Sequence, residues 1–213
     1  MSLLLNKKEQ TYEILKDRIL KEYYSMGDPL NIRQISEELG ISNSPVREAL
    51  NMLEKEGLVI ILPNNVPRVV SLEAEDMFEV MQMIFFWMTS SYRYCVHTRK
   101  QEEMCLRMEK VLRSQEEAMR EKDRYRYSHD SIYFDRCIIE ATGNRRLLMQ
   151  FDHIYPLFYL CTLYIHKSEQ DYEACLCQHK EILEAAREGR NEDVIDSLTQ
   201  HYYRSDWGGE IAR

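Results

Sequence analysis

Glycine and proline are scarce in this chain, at seven and five of 213 residues. That argues against an architecture of many tight turns and makes an α-rich protein the default. Long apolar runs are also missing. The longest, Met81 to Val96, has an uninterrupted centre, "MIFFWM", far shorter than the ~20 residues of a membrane span. No excess of positive charge exists either: the net charge is −8. Residues 1–75 hold nine Lys and Arg against twelve Asp and Glu, and the rest nineteen against twenty-four. Bulk charge therefore gives no support for nucleic-acid binding, which has to rest on local placement. The opening "MSLLLNKKEQ" sets its apolar group before Lys7 and Lys8, the reverse of a secretory leader. These absences predict a cytoplasmic protein with no membrane association.

The six cysteines, Cys95, Cys105, Cys137, Cys161, Cys175 and Cys177, read as reduced core residues in such a compartment. Cys175 and Cys177 stand two apart and on a helix point in different directions.

What is present is helical periodicity. "TYEILKDRILKEYY" (Thr11 to Tyr24) puts Tyr12, Leu15, Ile19 and Tyr23 on one face. "MGDP" is a turn. Asn31 caps a short second helix that stops at Gly40. A third helix starts at Ser42 or Ser44, accepts Pro45 in its first turn and buries Val46, Leu50 and Leu53. "LVIIL" and "RVV" then flank "PNNVP" as two strands around a loop. Helix, helix, tight turn, helix and hairpin is the order of a winged helix-turn-helix. A recognition helix presents its N-terminal end to the major groove, where Ser42, Asn43, Ser44 and Arg47 stand. The competing reading of Arg47 is a surface arginine paired with a nearby Glu. From Ser71 onward only helical patterns follow, near 73–97, 101–122, 126–142, 145–166, 170–188 and 191–206. The predicted fold is mainly α: a winged helix-turn-helix over residues 1–72, then an all-helical antiparallel bundle over 73–213.

The stretch "LGISNSPVREALNMLEKEGLV" resembles the motif "LGVSRTPVREAL..LE.EGLV" of the GntR family of bacterial transcription regulators. "FDRCIIEATGNRRLL" and "QHKEILEAAREGRNEDVIDSLTQHY" are similar to the effector-domain patterns of that family's FCD class, and the length fits its six-helix subgroup. The resemblance implies a dimeric regulator, a repressor in sign, that binds a near-palindromic duplex DNA operator and answers a small-molecule effector. Implied DNA contacts are Arg33, Ser42, Asn43, Ser44 and Arg47, with Asn64, Asn65 and Arg68 on the wing. Asn43 stands where the family often has a basic residue.

In the FCD class a divalent metal such as zinc or nickel sits in the bundle, held by one Asp and three His. Two of those positions fall on His179 and His201. Each is about ten residues from the turn at Gly189, so two antiparallel helices bring them level. The remaining pair falls on Ser131 and Asp135, leaving Asp135, His179 and His201 as the implied metal set. His129 and Asp130 lie off that face. Without metal, the two histidines would hold an organic ligand or water. The effector pocket is expected around Met81, Phe85, Ser131, Asp135, Tyr159, His179 and His201. Met81 and Phe85 replace polar family residues, which suits an apolar or aromatic effector. Two other readings remain: a two-His, one-carboxylate metal-dependent enzyme, and a helical interaction module that does not bind DNA.

Overall fold

The computed structural model describes residues 6–63 and 65–203. The chain forms two compact units, the first ending at Leu72 and the second beginning at Glu73.

In the first unit, α1 (Lys7–Leu20) starts at a capping box. Asn6 accepts from the Glu9 amide, and Glu9 accepts from the Asn6 amide. The helix ends before Glu22, whose φ is +56°. It therefore sits four residues earlier than the pattern Thr11 to Tyr24 predicts, because the polar cap, not the apolar stripe, sets its start. Leu15 and Ile19 are buried, whereas Tyr23 lies beyond the helix and is exposed. Asn31 opens α2 (Ile32–Leu39), its side chain accepting from the amides of Arg33 and Gln34. Gly40 closes α2 at φ +64°, a conformation costly to any residue with a Cβ.

Ser42 is the N-cap position of α3 (Asn43–Lys55). Val46, Ala49, Leu50 and Leu53 form its wholly buried stripe, against which α1 and α2 pack. Each large side chain so buried stabilises by about 1.5–3 kcal/mol. Lys16 and the Tyr12 hydroxyl both bond the Glu56 carboxylate, fastening α1 to the end of α3.

Strands β1 (Val59–Ile60) and β2 (Arg68–Val69) pair antiparallel, Val59 opposite Val69 and Ile60 opposite Arg68. The ladder is shorter than "LVIIL" and "RVV" suggest. Pro63 and Pro67 bound the tip and have no N–H to donate. On its other side Arg68 bridges to Pro29, and the Pro67 carbonyl accepts from the Leu30 amide. The wing is thus held to the loop before α2.

The second unit has six helices among the described residues: α4 (Ala74–His97), α5 (Gln101–Glu121), α6 (Arg124–Ala141), α7 (Arg145–Ile165), α8 (Glu169–Arg187) and α9 (Asn191–Tyr202). Their spans follow the periodicity within about two residues, except that the last expected stretch, 191–206, runs past the described residues. Contacts link α5 with α6 and α8, α6 with α4 and α7, and α9 with α8 and α4. Ile84, Met88, Met108, Phe134, Ile138, Phe151, Ile182 and Leu198 fill the core. Pro156 lies inside α7 and removes the helical bond that would close on the Asp152 carbonyl. Five of the six cysteines are buried, all six are free, and Cys177 is exposed. Among the described residues no helix is long and apolar enough to cross a membrane.

Candidate functional site

Two places gather the chemistry, one in each unit. In the first, the front end of α3 stands clear of the core. Ser42, Asn43, Ser44 and Arg47 are all exposed. The Ser42 side chain makes no cap bond, and Ser44 donates to Glu48 at 3.3 Å. Arg47 has no hydrogen bond or ion pair among the described residues, so its guanidinium is not engaged by the fold. Arg33 on α2 is equally open and meets only Glu37, at 2.9 Å, an exposed pair that costs little to break. A groove of about 440 Å³ runs between α2, α3 and the wing, lined among others by Arg33, Arg47, Asn51 and Asn65. Asn51 is a residue that motif matching misses. It is exposed and one turn beyond Arg47 on the same face, a placement legible from the i, i+4 spacing. Arg68 is turned another way, donating to the Gly27 carbonyl at 2.8 Å. Asn64 lies outside the described residues.

The second place is between α8 and α9. The rings of His179 and His201 are 4.9 Å apart, centroid to centroid. Cys175, one turn before His179, brings its sulfur to 3.9 Å from His179 Nε2. Donor atoms of Cys175, His179 and His201 all lie within 4.8 Å of one another. Asp135 is not in that group; it borders the adjoining cavity with His201.

Two glutamines orient the imidazoles. Gln115 Oε1, from α5, is 2.9 Å from His179 Nδ1, and Gln178 Oε1 is 2.8 Å from His201 Nδ1. An amide oxygen only accepts, so each Nδ1 carries a proton, which in the neutral ring of His179 leaves Nε2 its lone pair. His179 is fully buried and stacked on Phe134 at 4.2 Å. Burial, then the neighbouring His201, holds its pKa well below the ordinary histidine value, so it is neutral. Burial pushes the Cys175 thiol up to about 11 and the Asp135 carboxyl up to about 7. Asp135 Oδ1 is buried without a hydrogen-bond partner among the described residues. The Tyr202 hydroxyl is likewise without one in bonding geometry, yet it lies close enough to Asp135 that burial and then the carboxylate raise the phenol, while the hydroxyl lowers the carboxyl against the larger effect of burial.

The cavity beside this cluster holds about 30 Å³ and is walled by Met81, Ser131, Asp135, Gln178, His201 and Tyr202, among others. That is room for an ion or a water, not for an aromatic molecule. Two imidazoles protonated at Nδ1, a thiol and, on the adjoining cavity, an orphaned carboxyl oxygen make a donor set that fits a divalent ion.

Of the other expected pocket residues, Phe85 packs edge-on against Tyr203 at 4.8 Å, and Tyr159 donates to the Tyr125 carbonyl. Neither lines the cavity. Asp130 accepts from Ser114, and His129 stacks on Tyr133. Cys175, Gln115 and Gln178 are the residues that the sequence reading passes over. Cys175 is legible as a Cys-x-x-x-His pair on one helical face, whereas Gln115 belongs to a different helix and has no local signal.

Comparison with known proteins gives two family matches. Residues 7–69 match "Bacterial regulatory proteins, gntR family", and residues 92–204 match the FCD domain. The chain is 24% identical over 194 residues to the HTH-type transcriptional regulator YdhC of Bacillus subtilis (strain 168), covering 91% of this chain and 86% of that one. It is 22% identical over 193 residues to the gluconate operon transcriptional repressor of Bacillus licheniformis, covering 88% and 79%. A GntR transcriptional regulator from Rhodococcus sp. RHA1 shares the fold at a TM-score of 0.79 and 18% identity, over 94% of this chain and 96% of that one. E. coli McbR/YncC does so at 0.69 and 16%, over 95% and 96%. The matched families and relatives are regulators rather than enzymes. The chain belongs to the GntR family of bacterial transcription regulators, with an FCD domain as its second unit, and is a DNA-binding transcriptional regulator.

Proposed function

We propose that this regulator is a cytoplasmic repressor that binds a near-palindromic operator as a homodimer. Residues 1–72 read DNA, and residues 73–213 bind the effector and dimerise. The observation that carries the DNA reading is the unengaged Arg47 among exposed Ser42, Asn43 and Ser44 at the tip of α3. Arginine there suits a bidentate contact to guanine, and the free helix N–H groups suit a phosphate. Arg33 and the wing residues Asn64, Asn65 and Arg68 add backbone contacts, Arg68 after release from Gly27. Repression is the activity named for the gluconate operon relative.

The effector site centres on the cavity beside His179 and His201, with Met81, Ser131 and Asp135 in its wall. The histidines and Asp135 would hold a divalent metal such as zinc or nickel. When bound, such an ion would supply a Lewis-acidic centre for an anionic or carbonyl group of the effector. An effector with an apolar or aromatic part has to part the wall at Met81, Phe158 and Ile165 to enter. Its differential affinity for two arrangements of the dimer, typically ~1–3 kcal/mol, is what changes operator affinity.

Selection of bound duplexes from a random pool tests the reading, with sedimentation to count chains per duplex. Enrichment of an inverted repeat carrying two chains supports it. Failure to enrich any sequence, or one chain on an asymmetric site, overturns it.

A further inference from the structure

We propose that Cys175 supplies a thiolate ligand to an ion held by His179 and His201, and that this sulfur tunes the site to thiophilic ions, zinc above manganese or magnesium. The inference rests on the reading of this cluster as an ion-binding part of the effector site, and it names the ligand and the class of ion.

Cys175 and His179 share one face of α8 at i, i+4, and α9 brings His201 to them. Two donors on one tetrahedral zinc, with Zn–S of about 2.3 Å and Zn–N of about 2.0–2.1 Å, stand roughly 3.6 Å apart. The Cys175 sulfur and His179 Nε2 are 3.9 Å apart. The Cys175–His179 pair is within a few tenths of an ångström of that spacing, and the whole set, whose donors lie within 4.8 Å of one another, closes around an ion by side-chain shifts of about an ångström.

A polar shell stands behind the donors. Gln115 is fully buried and serves two of them at once. Its oxygen takes the His179 Nδ1–H, and its amide nitrogen donates to the Cys175 sulfur at 3.9 Å. Ser131 Oγ is 3.4 Å from the same sulfur. The Gln115 amide, and Ser131 when its hydroxyl donates, favour the thiolate against the burial that raises the thiol, and an acceptor on Nδ1 aims Nε2 at the ion.

Asp135 is placed apart from these donors. It stands outside the three-donor group, on the cavity that His201 also borders. It therefore faces the open side of the site, where a fourth ligand or an effector group would come. One sulfur and two imidazole nitrogens favour zinc, cobalt or nickel, whereas manganese and magnesium prefer all-oxygen shells. On binding M²⁺ the thiol loses its proton to the buffer and the sulfur forms the bond to the ion; nothing is oxidised or reduced.

Cobalt(II) titrated into metal-stripped, full-length protein tests this, because a thiolate ligand gives a near-ultraviolet sulfur-to-cobalt charge-transfer band. One cobalt per chain with that band is expected. The band should vanish in Cys175→Ser and persist in Cys177→Ser and Asp135→Asn. Chelator competition should show zinc affinity falling at least ~100-fold in Cys175→Ser, beyond the 10–100-fold usual for an outer-shell change. Cys175→Asp should narrow the preference for zinc over manganese. Cobalt bound to the parent without the band overturns the assignment of Cys175 while leaving ion binding standing, and needs no variant to fold. A band that survives in folded Cys175→Ser also overturns it. Absence of any cobalt or zinc binding overturns both the ligand assignment and the ion-binding reading, while operator selection continues to test DNA binding separately.

Discussion

Gln115 and His179 meet inside the second unit, amide oxygen to ring nitrogen at 2.9 Å, with both side chains fully excluded from solvent. No other single contact decides so much, because it settles which nitrogen of the histidine keeps a lone pair. Gln115→Leu should leave the Nδ1–H buried and unsatisfied, at about 1–3 kcal/mol of stability. Zinc affinity should fall 10–100-fold as well. Thermal melting without metal and chelator competition with zinc measure the two effects, and unchanged zinc affinity would refute the orienting role.

Arg47→Ala should cost operator binding about 1–3 kcal/mol and relax preference at one base position. Because Arg47 has no partner within its unit among the described residues, melting temperature should scarcely move. Arg33→Ala should instead weaken binding to all sequences alike and flatten the salt dependence. Fluorescence anisotropy on operator and scrambled duplexes, over a range of salt, separates them.

Asp135 gives a pH signature. Burial raises its carboxyl to about 7, against an ordinary value near 3.9. Between those values the native state keeps a proton that the unfolded chain has released. The favourable contribution is therefore complete below pH ~4 and gone once pH passes about 7. At ~1.4 kcal/mol per pH step the total reaches about 4 kcal/mol. Metal-free Asp135→Asn should be the more stable protein at pH 8 by up to that amount, the gap shrinking steadily as pH falls towards 5. Denaturant melts at several pH values test it; a gap that widens on acidification would be the wrong sign.

Asn31→Ala should cost about 1 kcal/mol, since two amides at the front of an eight-residue helix lose their acceptor. Asn31→Asp should keep most of that stability. Chemical denaturation of the full chain, followed by a probe in the first unit, reads the difference.

The architecture was legible where local chemistry speaks: Asn31 and Gly40 bracket α2, and the 3.6-residue stripe of Val46, Leu50 and Leu53 marks α3. The start of α1 was not, because Asn6 and Glu9 form a cap ahead of the apolar stripe that the eye follows. The wing read too long because β-branched residues suggest strand, while Pro63 and Pro67 withhold the donors a ladder needs. In the second unit, the spacing of His179 and His201 from the turn was visible, since antiparallel helices obey simple arithmetic. Cys175 stayed hidden when compared with Cys177 instead of His179. Gln115 could not be seen at all, because it arrives from α5, 64 residues away in sequence from the histidine it holds. Phe85 and Tyr159 share the composition of a pocket wall, but tertiary packing turned one to Tyr203 and the other to Tyr125.

Pro156 gives the second unit a point of compliance. A helix missing one rung bends there more readily than elsewhere, and the segment beyond it carries Phe158, Thr162 and Ile165, one flank of the 30 Å³ chamber. If an effector larger than a single ion is to enter, this is where the wall of the chamber would yield at the least cost in main-chain bonds. Effector size would then be gauged by how far one half-helix swings, and a rigid tight fit would not be what selects it.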